Sequence, residues 1–156
     1  MKNAASKNDI AFRIREMVEG DLSRVTALEN EIFPDPWPKS AFLEDTYEEI
    51  WSAIIAEIDD GIIAYACYYV TGPEAHLTNI AVDSEFRRKS VAKKLLDHIF
   101  RSVKNIGCEY IILEVRPGNK EACDFYKKLG FELMYRQPDY YQHPVEDALV
   151  MVFYFD

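Results

Sequence analysis

Residues 51–82 constrain this chain most tightly. The runs "WSAIIAEI" and "GIIAYACYYVT" flank Asp59-Asp60-Gly61. An Asp-Gly turn between two apolar runs predicts a β-hairpin, because the tight turn that suits twisted antiparallel strands needs positive φ angles that Asp and Gly tolerate. A third run, "EAHLTNIAV" (74–82), follows the turn at Gly72-Pro73. Three strands joined by short turns commit this stretch to an antiparallel sheet.

The flanking segments alternate between helix and strand periods. "AFRIREM" (11–17) alternates as a first strand, and Asp21 is placed to cap a helix over 22–33, where Val25, Leu28 and Ile32 recur at helical spacing. The three prolines of "FPDPWP" (33–38) end that helix, and Ser40 with the residues after it predicts a short second one. From Lys89 onward, Val91, Leu95, Leu96, Ile99, Phe100 and Val103 form the apolar stripe of a helix stopping near Gly107. "EYIILEV" (109–115) is apolar nearly throughout, as in a strand covered on both faces. A further helix runs from Asn119 to Leu129 with Gly130 as its stop, and "FELMYR" and "DALVMVFYF" close the chain as strands. The expected architecture is α/β: a mixed, mostly antiparallel sheet of about seven strands with helices on both faces. Without repeats or a low-complexity linker, residues 1–156 are read as one domain, with residues 1–10 as a flexible tail.

Charge and cysteine usage narrow the function. There are 27 Asp and Glu against 18 Lys and Arg, a net charge of −9, which argues against a general nucleic-acid binder. Cys67, Cys108 and Cys123 are odd in number without CxxC spacing, and His76, His98 and His143 are scattered, so no metal is expected. "MKNAASKNDIAF" lacks the apolar run of a signal peptide, and no stretch is apolar enough to span a membrane, so the expectation is a cytoplasmic protein without membrane partners.

Against that acidic background, "EFRRKSVAKKLL" (85–96) places Arg87, Arg88, Lys89, Lys93 and Lys94 where a strand hands over to a helix. The first N–H groups of a helix lack internal partners and its dipole is positive there, so such a turn suits a phosphate. The same residues also fit a solvated basic helix face.

The order of four blocks decides between them. Arg87-Arg88-Lys89-Ser90-Val91-Ala92, the preceding "NIAVDSEF", "LEVRPGN" (113–119) and "DFYKKLGF" (124–131) resemble, in sequence order, the GNAT superfamily of acetyl-CoA-dependent N-acetyltransferases. "EAHLTNIAV", "FPDPWP" and "PDYYQHPVEDALVM" are similar, more narrowly, to the bacterial ribosomal-protein alanine N-acetyltransferases of the RimI type, and the resemblance covers residues 12–153. It implies a GNAT fold with a V-shaped gap between the strands at 74–82 and 109–115. Backbone groups of Ile80, Ala81 and Val82 would pair with the pantetheine arm of acetyl-CoA. Arg88, Lys89, Ser90, Val91, Ala92 and Lys93 would hold its pyrophosphate, and Asn119 would hydrogen-bond the arm. Ser90 stands where the family pattern has its first glycine. Its Cβ would crowd the pyrophosphate, or its hydroxyl would donate to it.

The resemblance further implies Glu114 as general base and Tyr126 as the acid that protonates the leaving thiolate. A carboxylate in a partly desolvated cleft is raised toward neutrality, which suits a base. Each residue also has a structural reading: Glu114 paired with Arg116 on the same strand face, Asn119 as a helix N-cap, Tyr126 as a core aromatic. Phe33 to Trp37 with Tyr140 and Tyr141 would border the acceptor groove, and Glu31, Asp35 and Glu146 would favour a basic acceptor; the same loops could instead simply be anchored to the sheet. The expected acceptor is the N-terminal amine of a protein, an alanine on a small-subunit ribosomal protein. A lysine, a polyamine or a non-catalytic acyl-CoA-binding module are the alternatives.

Overall fold

The computed structural model describes residues 10–42, 51–59 and 61–156. In chain order the elements are β1 (Arg13–Glu16), α1 (Leu22–Ile32), β2 (Trp51–Ile58), β3 (Gly61–Thr71), β4 (Glu74–Val82), α2 (Val91–Asn105), β5 (Tyr110–Val115), α3 (Lys120–Leu129), β6 (Glu132–Gln142) and β7 (Val145–Tyr154). Residues 39–42 are also helical. The rest of the short helix expected after Ser40, Asp60 of the hairpin turn and nearly all of the expected N-terminal tail lie outside the described residues.

The seven strands form one sheet in the order β1-β2-β3-β4-β5-β7-β6. Every neighbouring pair is antiparallel except β4 and β5. That mixed sheet bears out the expected α/β GNAT architecture. The β2–β3 hairpin turns where Asp-Asp-Gly predicted, with Ile58 opposite Gly61 and Asp59 at φ 53°.

Helices cover both faces. α1 supplies Leu22, Val25 and Leu28 to one core, against Ile55, Tyr65 and Cys67 of the sheet. On the other face α2 supplies Val91, Leu95, Leu96, Ile99 and Val103, and α3 adds Cys123 and Tyr126. Because β3 is covered on both sides, Ile62 through Tyr68 are buried without a break. β5 departs from the expectation for it: Ile111, Leu113 and Val115 are buried while Tyr110, Ile112 and Glu114 are only half-buried. Its second face is not fully covered by a helix.

Two helix starts differ from the sequence reading. Asp21 does not cap α1 with its side chain. It sits in a 3-10 turn, where its carboxylate accepts from the Val18 N–H (2.8 Å) and from both Arg15 terminal nitrogens (2.8 and 2.9 Å). The guanidinium competes for the carboxylate and holds it below the usual range. The second helix opens at Val91 rather than Lys89, because Arg88 (φ 61°) and Ser90 (φ 63°) are left-handed and cannot belong to an α-helix. α3 ends as expected at Gly130, whose φ of 107° disfavours any other residue and where an added Cβ would stand a tight 3.0 Å from the Phe153 ring. The final hairpin is longer than expected, since β6 continues through Tyr140 and Tyr141 to Gln142.

Candidate active site

β4 and β5 are in register from Glu74–Leu77 against Tyr110–Leu113, and the ladder goes no further. Beyond it the two strands part, and a cleft of about 800 Å³ opens between them. β4 helps to shape it. Cys67 pairs with Asn79 and Tyr68 with Leu77, so Thr78 is a bulge, and its hydroxyl donates to the Cys67 carbonyl at 3.1 Å. A bulge re-aims the strand after it and exposes backbone groups, which is why such irregularities recur beside sites.

Ile80, Glu114, Asn119 and Tyr126 all line this cleft. Ala81 and Val82 continue β4 along the same edge, and the Arg88–Lys93 segment follows one short 3-10 turn later. Glu114 is not paired with Arg116. Its Oε2 lies 2.7 Å from His76 Nε2, and His76 Nδ1 lies 2.6 Å from the Tyr69 hydroxyl. An ionised carboxylate only accepts, so with the ring neutral Nε2–H donates to Glu114 and Nδ1 accepts from Tyr69. His76 had no assigned role in the sequence reading. The usable signal was its strand position, facing Tyr69 across the β3–β4 turn.

Asn119 does cap its helix: Oδ1 accepts from the Ala122 N–H at 3.2 Å. That leaves its NH₂ group for other partners. Tyr126 is buried, its ring packed near Phe125 and Phe131. Its hydroxyl has no hydrogen bond among the described residues, and burial pushes the phenol well above its ordinary value. The phenol therefore keeps its proton at neutral pH and can present it to the cleft as a hydrogen-bond donor.

The basic turn presents a different geometry. Ser90 is the N-cap of α2 in the left-handed region, with no capping bond from its hydroxyl. This supplies a backbone reason for the glycine of the family pattern: the position requires positive φ. Lys93 pairs with Asp97 at 3.2 Å on the surface. Arg87 Nε donates weakly to the Val82 carbonyl, at 3.4 Å.

The opposite end is laced by side chains. Asp35, in the loop after α1, accepts from His143 N (3.0 Å) and faces His143 Nδ1 (2.5 Å). Arg116 lies 3.5 Å from Asp35 and 3.3 Å from Glu146, donates to the Pro144 carbonyl at 2.9 Å, and stacks over Tyr141 at 4.1 Å. Glu146 in turn accepts from the Gly118 N–H at 2.7 Å. The loop-anchoring reading of Asp35 and Glu146 is therefore realised in bonds. Beneath them, Glu29 of α1 is buried in the cleft wall, a residue the sequence reading passed over. It lies on the apolar stripe, four residues after Val25, and a charge on that stripe was the available signal. Among the described residues no group of three or more His, Cys, Asp or Glu is placed to hold a metal, and no helix is long and apolar enough to cross a membrane.

Comparison with known proteins agrees with this geometry. Residues 22–131 match the model of the acetyltransferase (GNAT) family. The putative ribosomal protein bS18-alanine N-acetyltransferase of Bacillus subtilis is 30% identical over 139 residues, 88% of this chain and 92% of that protein. The ribosomal protein bS18-alanine N-acetyltransferase of Haemophilus ducreyi is 32% identical over 144 residues, 90% of this chain and 99% of the other. The crystal structure of the ribosomal-protein-S18-alanine N-acetyltransferase from Escherichia coli superposes with a TM-score of 0.84 at 27% identity, covering 92% of this chain and 94% of that one. A sheet split between β4 and β5, a left-handed basic turn opening α2 and a match over most of the chain give one conclusion: the chain belongs to the GNAT acetyltransferase family.

Proposed function

We propose that this protein transfers the acetyl group of acetyl-CoA to the N-terminal amine of a protein, an alanine-starting chain of a basic ribosomal protein, in the cytoplasm. The observation that carries the reading is the convergence of Glu114, held by His76, and Tyr126 on the cleft where β4 and β5 separate. The names of the relatives support the acceptor, and the 92% and 99% of their lengths matched support carrying it over.

The donor lies along β4, its pantetheine arm pairing with the free backbone edge of Ile80, Ala81 and Val82 as an added strand. Its pyrophosphate sits on the first turn of α2, with Arg88, Lys89 and Lys93 around it and Ser90, Val91 and Ala92 beneath. Asn119 spends its oxygen on the cap and offers its NH₂ to the arm. On the acceptor side Glu114 takes a proton from the ammonium, and the free amine attacks the thioester carbonyl. Backbone N–H groups near the Thr78 bulge stabilise the oxyanion. The tetrahedral intermediate then collapses, breaking the C–S bond; the thiolate takes the Tyr126 proton, the second proton lost by the nitrogen passes through solvent to restore the Tyr126 phenol, and Glu114 releases its own proton to solvent. His76, itself fixed by Tyr69, keeps the base aimed.

An assay with acetyl-CoA and three acceptors tests the reading: an alanine-starting basic peptide, the same peptide acetylated at its N-terminus, and spermidine. Only the first should turn over. Turnover of the blocked peptide at a lysine, or of spermidine, would reassign the acceptor; inactivity on all three with intact coenzyme A binding would leave a binding module.

A further inference from the structure

Three carboxylates among the described residues are buried: Asp21, Glu29 and Glu57. Two of them have cations. Asp21 is paired with Arg15, and Glu57 with Arg13 and Arg15. Glu29 is the most deeply buried, at 1% exposure, yet no described basic side chain is within ion-pairing distance of it. Its partners are neutral donors: the Tyr65 hydroxyl, Asn79 Nδ2 at 3.0 Å and the Trp37 N–H at 3.3 Å. Burial raises its carboxyl above the ordinary range, with those donors pulling the other way.

A buried carboxylate without a counter-ion is costly to keep, and a fold that needed only packing there would use an apolar residue. A second gap lies beside it. Asn79 is 7% exposed, and its Oδ1 is fully buried without a hydrogen-bond partner among the described residues. Glu29 and Asn79 both line the cleft. A partner that brings positive charge to the carboxylate and an N–H donor to the amide oxygen would serve both groups at once. An ammonium group has both, with three N–H bonds to distribute.

We infer that Glu29 and Asn79 form the docking point for the acceptor's ammonium group, holding it in the wall of the cleft before Glu114 removes its proton. The inference rests on the acetyl-transfer reading and adds a specificity element to it. The acceptor binds in its charged form, and the site rejects a neutral end of the same shape. Glu29 also holds the Trp37 backbone, so the docking point and the loop bordering it are one unit. An N-terminal α-ammonium and a lysine ε-ammonium share this chemistry.

The test measures peptide binding to the wild-type protein with desulfo-coenzyme A, which occupies the donor site without reacting. The probes are an alanine-starting peptide free of lysine, the same peptide with propionyl in place of alanine (shape kept, ammonium removed), and a propionyl peptide carrying an early lysine. The free amine should bind at least tenfold more tightly than its propionyl twin, a gap that Glu29→Gln should close to within twofold and Asn79→Ala should narrow. Tight binding of the lysine peptide alone would keep the docking point and assign it to a side chain. Equal binding of all three to the wild type overturns the inference, and needs no variant to fold. So does full discrimination in a folded Glu29→Gln protein, whose only defect would then be stability. A wild type that discriminates but acetylates no amine would sink the acetyl-transfer reading and leave the docking point intact. One that acetylates without discriminating would remove the docking point alone.

Discussion

The two ends of the cleft are built by opposite means. At the proposed donor end, the strand edge Ile80–Val82 and the turn Arg88–Lys93 fall within one short stretch of sequence, and among the described residues the side-chain tie of Lys93 is a surface pair with Asp97. At the proposed acceptor end, Asp35, Arg116, His143 and Glu146 come from three separate stretches and are bound into one knot. A cofactor is the same molecule in every turnover, so a short stretch with the right φ angles can hold it. An acceptor chain must be admitted and discriminated, which takes side chains from several elements. If this division is real, substitutions at one end should leave the other end's substrate untouched.

The largest effect should come between the ends, where the two substrates meet. Glu114→Gln and Tyr126→Phe should each lower the acetylation rate by ~10²-fold or more with acetyl-CoA affinity near wild type, measured by steady-state kinetics and calorimetry. Turnover within about twofold for both variants would leave them structural residues. Next, changing Arg88 and Lys93 together to Ala should weaken coenzyme A about tenfold, a loss that shrinks as salt is raised, while the acceptor KM holds. Equal losses for both substrates would break the division between ends. Asp35→Ala should do the converse, raising the acceptor KM by roughly threefold to tenfold with acetyl-CoA binding unchanged, since it unties His143 and one contact of Arg116. The smallest effect is on stability. Ser90→Gly relieves a left-handed serine and should stabilise the fold by about 0.5–1 kcal/mol, seen as a raised denaturant midpoint. A destabilised variant would mean that the Ser90 side chain makes a bond the free protein needs.

The same contrast explains what could be read from the residues alone. The hairpin at Asp59, the strand 74–82 and the stop at Gly130 depend on neighbours a few positions away, and they were legible. So was the basic turn, although its helix starts two residues later than the charge pattern suggested, because positive φ leaves no compositional mark except glycine, which is absent here. The Glu114–Arg116 pairing was a local guess that failed. Arg116 lies at the end of β5 and reaches the β6–β7 turn, while Glu114 meets His76 on the adjacent strand, 38 positions earlier. Asp35 and His143 are 108 positions apart, and no periodicity relates them. Glu29 was visible only as an anomaly, a charge on an apolar stripe, and its meaning depended on Tyr65 and Asn79 arriving from β3 and β4.

The β4–β5 junction has a mechanical consequence. The ladder between β4 and β5, which joins the β1–β4 part of the sheet to the β5–β7–β6 part, is four residue pairs long. Unlike the hairpins, this seam joins strands separated in sequence by the whole of α2, so closing it costs more chain entropy than closing a hairpin. A pantetheine arm laid along Ile80–Val82 continues the ladder past the point where the protein's own hydrogen bonds stop. On the proposed reading, the donor substrate would then act as a removable strand segment that splices the two halves. Amide exchange along the seam should slow when it binds, and cooperativity of unfolding should rise with its concentration.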